Sequence, residues 1–350
     1  MADAAQIDGW FELARVEGVS GLLAERLLAS GPLPAALRSS LMTELRGLAA
    51  VELAHRAVLV QVLSVLAAAK IRVLVLKGIA LGEWLYPAPH LRESSDIDLL
   101  FATRDDALAA VSALASHGYR APYMPGPFAH EILCRRVKQP VDLDLHWALA
   151  CMPVLDALPT FDALWDDSMA LAGIGPHARG LGKVDALLHA CIHRASNLQT
   201  GLGDRLKWLY DMHLLANTAD PDDWEVFVAR CRRARVSGMA LDALQATTRV
   251  FCTEIAPTVM SRLGDGMRDD DIDPARLGDW RYMQWKNLQA LPGAGARWRW
   301  IGSQLLPPTG YLREVYGQRD AGRARLLWTR LGRLFARLGG RKEKAVRHDV

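Results

Sequence analysis

A chain of 350 residues, 51% apolar and 23% charged, has the composition of a folded protein with room for two or three domains, which excludes a disordered one. Its formal charge of +3 is too small to argue for a nucleic-acid partner, and no apolar run reaches the roughly 18–20 residues expected of a membrane span. Five scattered cysteines with no Cys-x-x-Cys pair argue against a disulfide framework or zinc site; with Met1-Ala2-Asp3 lacking a signal peptide's basic flank, they point to a reducing cytoplasm.

Residues 1–68 are rich in Ala, Leu and Glu and form an N-terminal helical region. Ser39 or Ser40 can cap a helix that runs through Leu41, Leu45 and Leu48 to Val58, Val62, Val65 and Leu66 at helical spacing. Residues 69–150 alternate strand and helix. A buried strand over 71–76 runs into Lys77-Gly78 and a helix over 79–86. Strand, glycine turn and helix N-terminus make a ready anion site, with a lysine at its edge. Lys77 also reads as a surface lysine after a strand, and Gly78 as a turn glycine.

After the loop Tyr86-Pro87-Ala88-Pro89-His90 comes a strand over 95–101 that carries Asp96 and Asp98. Alternate side chains of a strand share a face, so both carboxylates project together. Such a pair repels itself and raises a pKa unless a cation neutralises it, and hard oxygens of this kind suit Mg²⁺. A helix over 104–117 and strands near 131–138 and 140–147 come next. The last alternates strictly, which puts Asp142, Asp144 and His146 on one face and Val141, Leu143 and Leu145 on the other. Asp142 and Asp144 therefore compete to be the third acidic ligand.

Residues 151–350 read as a larger, mostly helical C-terminal domain. Loops break it at Gly173-Ile174-Gly175-Pro176, from Asp269 to Pro274, and at Pro307-Pro308-Thr309-Gly310. His189 and His193 stand four apart on one helix, without the glutamate of a His-Glu-x-x-His zinc motif. Lys207, Asp211 and His213 lie on the next. These residues either satisfy each other between helices, or His193, Lys207 and Asp211 close over a ligand across a cleft. A basic terminal helix sets Arg323, Arg325, Arg330, Arg333 and Arg337 beside a leucine stripe. It reads as a packed helix with solvated arginines.

The ordered set Leu76-Lys77-Gly78, Tyr86, Arg92, Ser95-Asp96-Ile97-Asp98-Leu99-Leu100 and Asp144-Leu145-His146-Trp147 resembles the nucleotidyltransferase superfamily of the DNA polymerase β type. Within it, the chain is similar to the uncharacterised nucleotidyltransferase-like branch. The motifs cover about residues 70–150, and a weaker likeness extends through the segments around His193 and Asp211. Lys77-Gly78 stands where better-known members have Gly-Ser.

The resemblance implies an α+β fold, a small mixed-sheet nucleotidyltransferase core flanked by helical regions. It also implies a transferase that uses an NTP with Mg²⁺ or Mn²⁺. Asp96 and Asp98 would bridge two metal ions ~3.5–4 Å apart, with Asp144 holding the one that activates the acceptor. Lys77, Gly78, Arg92 and Ser95 would line the phosphate path, although Arg92 equally suits a pairing with Glu93 or Asp96. The acceptor could be a small molecule, sugar, peptide or protein, with a peptide natural product suggested by the resemblance. The competing expectation is a catalytically silent binding module that keeps the fold.

Overall fold

The computed structural model describes residues 4–136, 141–318 and 320–338. The expected strand ends at 137–138 and 140, and the opening Met1-Ala2-Asp3, lie outside them. Helices α1 (Ala4–Glu17) and α2 (Ser20–Ala29) pack on α3 (Ala35–Ala68) around Phe11, Ala24 and Leu41. The expected serine cap is not used. Pro34, with its ring-fixed φ, stands at the cap, and Ala35-Ala36-Leu37 continue into helix, so Ser39 and Ser40 lie inside it.

Against the expectation that no apolar run is long enough to span a membrane, α3 is a weak candidate. By length and composition this helix passes that test, alone among the described helices. In this structure its Val58, Leu59, Val62, Leu63 and Leu66 are buried against the sheet.

The sheet grows from β1 (Leu74–Val75), which leads into α4 (Lys77–Trp84), then β2 (Asp96–Leu100), α5 (Arg104–Leu114), β3 (Tyr119–Arg120), β4 (Glu131–Arg136) and β5 (Asp142–His146). The α5 cap is local chemistry, with the Thr103 hydroxyl accepting from the Asp106 N–H. With two later strands, β6 (Met169–Ala170) and β7 (Arg179–Gly180), the order is β3-β4-β5-β2-β1-β7-β6, with β2 and β5 parallel at its centre. Strict alternation gives the sheet two working faces. Val75, Ile97, Leu99, Leu143 and Leu145 bury against α3 and α5, while Leu74, Leu76 and Leu100 join the core of the helical region.

The region after residue 150 is mostly helical, as expected, and adds two short strands to the sheet. After α6 (Phe161–Asp166), the strands β6 (Met169–Ala170) and β7 (Arg179–Gly180) form a hairpin around the Gly173–Pro176 turn. Gly180 then pairs in parallel with Val75. The helices α7 (Lys183–Leu198), α8 (Leu206–Thr218), α9 (Pro221–Arg233), α10 (Ser237–Phe251) and α11 (Pro257–Gly266) share one core with the sheet. The helices α12 (Trp280–Ala290), α13 (Gly293–Leu305), α14 (Thr309–Val315) and α15 (Arg323–Leu338) complete the described chain.

Candidate active site

Parallel register sets the centre of the site. Asp96 stands opposite Asp142, and Asp98 opposite Asp144. Because Ile97, Leu99, Leu143 and Leu145 are fully buried on the other face, all four carboxylates must point toward the helical region. Asp142 is already matched. Across the antiparallel β4–β5 ladder, Arg135 donates through Nε and Nη2 to its two oxygens at 2.7 Å each, and through Nη1 to Glu314 at 2.7 Å. Asp144 accepts no hydrogen bond among the described residues. Ion pairing thus separates two positions that alternation alone left equivalent.

The carboxylates sit in contrasting fields. Asp98 is buried, and its Oδ1 accepts from Lys77 Nζ at 3.1 Å and lies 2.9 Å from His146 Nε2. Burial would raise this carboxyl, but Lys77 and His146 overcome that and hold it far below the usual carboxylate range. Asp144 goes the other way. Burial, followed by the charges of Glu131, Asp96 and Asp98, pushes it well above its ordinary value. Asp96 is also raised, by burial and then by Asp98, against the pull of Lys77, Lys207 and Arg92.

Two residues that ionise reluctantly beside a third that is fully ionised lack positive charge. The free Oδ2 of Asp98 and the unpaired Asp144 carboxylate are hard oxygen donors, so the set fits Mg²⁺ or Mn²⁺.

The cationic residues divide into two groups. Lys77 opens α4 at φ +42°, a left-handed conformation rare for a side-chain-bearing residue, and this aims its ammonium at Asp98. Burial works against the ammonium, yet Asp98 and Asp96 raise its pKa above the ordinary value. Gly78 is required by space: a Cβ there would lie 2.3 Å from the Ser94 hydroxyl. Ser95 is exposed beside Asp96. Lys207 on α8 makes no hydrogen bond or ion pair among the described residues. Burial, with Arg92 and Arg205 nearby, lowers it to about 8. Its stem lies under the α1–α2 turn, where a Cβ on Gly18 would come within 2.5 Å of it.

Arg92 differs from its expected phosphate role. Its Nε and Nη2 each donate to Asp211 at 2.7 Å, its Nη1 donates to the Glu93 carbonyl at 2.6 Å, and the Tyr86 hydroxyl donates to Asp211 at 2.7 Å. The guanidinium and Asp211 are therefore committed to each other inside the protein, and neither Glu93's nor Asp96's carboxylate is the partner. His193 stands edge-on to Trp208 at 4.5 Å, and burial holds it neutral, well below its ordinary value. His193, Asp211, Lys77 and Arg92 surround a cavity of only 30 Å³, which has room for a water and not for a nucleotide.

Two neighbours of the site escaped sequence reasoning. Glu131 begins β4 opposite His146, with Oε2 at 3.1 Å from His146 Nδ1 and 3.3 Å from His130 Nε2. The ligand atoms of His130, Glu131 and His146 lie within 4.8 Å of one another, close enough to share a metal ion. An acidic residue opening a strand whose ladder partner is His146 was the available signal, but that pairing has no trace in local sequence. Burial holds His130 neutral, at about 4.

The family model described as "Uncharacterised nucleotidyltransferase" matches residues 3–251, well over half of the chain. No curated protein matches it.

Proposed function

The chain belongs to the uncharacterised nucleotidyltransferase family, and from that premise we propose that it moves a nucleotidyl group from an NTP to a hydroxyl-bearing acceptor in a metal-dependent reaction. One observation carries the reading: Asp98 and Asp144 face each other across a parallel strand pair beside Asp96, and Asp144 has no protein partner among the described residues. Asp96 and Asp144 are buried carboxylates whose ionisation burial and neighbouring carboxylates oppose, an arrangement found more often at functional sites than in structural ones.

In this reading Asp96, Asp98 and Asp144 hold Mg²⁺ or Mn²⁺, which when bound supplies charge neutralisation and acidifies the acceptor hydroxyl. Lys77 and Lys207 both act on the charge of Asp96 and balance the triphosphate. The acceptor oxygen forms a bond to the α-phosphorus, the bond to the pyrophosphate oxygen breaks, and the hydroxyl proton is released to water. Asp144 orients the acceptor side, and Asp142, held by Arg135, keeps β5 in register. We assign this chemistry to residues 69–150, supported by the helical regions 1–68 and 151–350. The proposed setting is a reducing cytoplasm, a reading that five free cysteines support.

The silent-module reading draws on the same geometry, since Lys77 and His146 already neutralise Asp98 without a metal. Calorimetric titration of each NTP with and without Mg²⁺, combined with mass spectrometry for nucleotide-bearing products, separates the two. Metal-dependent NTP binding that Asp98→Ala abolishes is expected, together with product formation that Asp144→Ala stops while leaving NTP binding largely in place. Metal-independent binding that survives both substitutions favours the module.

A further inference from the structure

A cavity of 520 Å³ has Tyr123, His130 and Glu131 in its wall, and it reaches the site through Glu131, whose Oε2 lies 3.1 Å from Nδ1 of His146, the residue whose Nε2 lies 2.9 Å from Asp98 Oδ1. The Tyr123 phenol is pushed far up by burial and then by the charges of Glu131, Tyr311 and Asp144, so the cavity lies within the field of the unpaired Asp144. More than half of its lining residues come from beyond residue 251, where the family match ends.

The wall has three chemical characters. Phe128 and Trp300 meet edge to face at 5.2 Å and, with Trp280, give an aromatic surface. Two arginines of α15, Arg323 and Arg330, line it as well, the second with its Nε donating to the Gln304 carbonyl at 3.1 Å, and among the described lining residues the one acidic group is Glu131, whose carboxylate already sits between His130 and His146. The Gln284 side-chain oxygen is buried in this wall without a hydrogen-bond partner among the described residues, which is costly unless a ligand supplies a donor.

We propose that this cavity is the acceptor subsite and that it selects an organic anion. The preferred molecule has an aromatic or apolar body, a carboxylate or phosphate for the α15 arginines, a donor for Gln284, and its reacting hydroxyl toward Asp144. The assignment as acceptor subsite rests on the nucleotidyl-transfer reading above. The anion selectivity is independent of it.

The test uses the full chain and two dyes of the same aromatic frame, anionic anilinonaphthalene sulfonate and neutral phenylnaphthylamine. The sulfonate is expected to bind at one molecule per chain and roughly tenfold tighter than the neutral dye. Arg323→Gln/Arg330→Gln should erase that preference while leaving the neutral dye's affinity in place. Arg323→Lys/Arg330→Lys should keep it and guards against a folding artefact. Equal affinity for the two dyes in the wild type overturns the proposal, as does a preference that survives the glutamine pair or is lost in the lysine pair.

Naphthyl phosphate and naphthoate should displace the sulfonate where neutral naphthol does not, and the stronger of the two identifies the anion. Displacement by neither overturns the selectivity. Mg²⁺·ATP added to dye-saturated protein should bind without displacing the dye. Displacement would make this the nucleotide's own pocket and overturn the acceptor assignment. If neither Mg²⁺·ATP nor any other Mg²⁺·NTP binds, the transferase reading fails and takes the acceptor role with it, while the dye comparison still decides the anion selectivity.

Discussion

Asp98 and Asp144 are neighbours with opposite electrostatic histories, and their amide variants should diverge accordingly. A carboxyl whose folded pKa is raised weakens the protein at pH values above that pKa, and the cost fades as pH falls and the group protonates. Asp144→Asn is therefore expected to raise the melting temperature of the metal-free protein at pH 7, by roughly 2–4 °C per kcal/mol relieved, with the gain shrinking toward pH 5. Asp98 has a lowered folded pKa, so its stabilisation is present above the ordinary carboxylate value of about 3.9 and is lost only as pH falls below it. Asp98→Asn should cost up to about 3 kcal/mol at pH 7, the low end for a broken buried pair, because Lys77 keeps some access to water. Melting curves of both variants across pH check the pair of signs. Two variants of equal stability would mean that the carboxylates share one environment.

Lys207 gives a second residue-scale test. Its pKa of about 8, below the ordinary lysine value, means that the unfolded chain binds a proton between about pH 8 and 10.4 that the folded chain does not. The lysine's contribution to stability thus rises with pH through that window, and Lys207→Met should raise the melting temperature at neutral pH. A bound triphosphate would restore the charge, so NTP binding near pH 8.5 should take up a proton, read as a buffer-dependent calorimetric enthalpy that Lys207→Met removes. An enthalpy independent of buffer would take Lys207 off the phosphate path. The pairing of Asp96 with Asp98 on one face, and of Asp144 with His146, is legible in sequence because a two-residue period survives without tertiary help. Alternation does not choose between Asp142 and Asp144; the family resemblance favours Asp144, and the structure sets Asp142 apart through Arg135 on another strand.

At the scale of elements, legibility follows periodicity. β2, β5 and α5 lie within a few residues of their expected bounds because each buries an alternating or helical stripe. β6 and β7 are two residues each, too short to carry any period, and they exist only because β1 offers Gly180 a parallel partner. The α3 start moved from the serines to Pro34 for a local reason, since intrinsic helix propensity in Ala35-Ala36-Leu37 outweighs a side-chain cap further in. The tie between the segment after α4 and α8 had no sequence signature, because Arg92 and Asp211 stand 119 residues apart. Its expected behaviour is structural. Arg92→Ala strands a buried carboxylate and should cost about 3–5 kcal/mol, and Arg92→Lys should recover little, since an ammonium cannot reproduce the two-pronged contact. Urea midpoints test this; unchanged midpoints with a large loss of NTP affinity would return Arg92 to the phosphate path.

For the molecule as a whole, the fold expected from composition and motif order is the one observed, a mixed sheet with helical flanks. The carboxylates lie inside the family-matched segment, and the cavity reached through Glu131 is walled about equally by that segment and by residues C-terminal to it. The buried Arg92–Asp211 pair spans the seam between sheet and helices, beside a continuous core in which Leu74, Leu76 and Leu100 meet Leu187, Leu188 and Leu209. To swing these halves apart would expose that core and strip a charge pair of its partners, so the seam acts as a weld and not as a hinge. Ligands must then enter and leave through standing openings. Stopped-flow NTP binding should be a single phase whose rate rises linearly with concentration, and small-angle scattering should show no contraction on saturation. A rate that levels off at high NTP would reveal a gating motion that the weld forbids. Turnover in such a molecule is set by traffic through its doorways, not by the breathing of its walls.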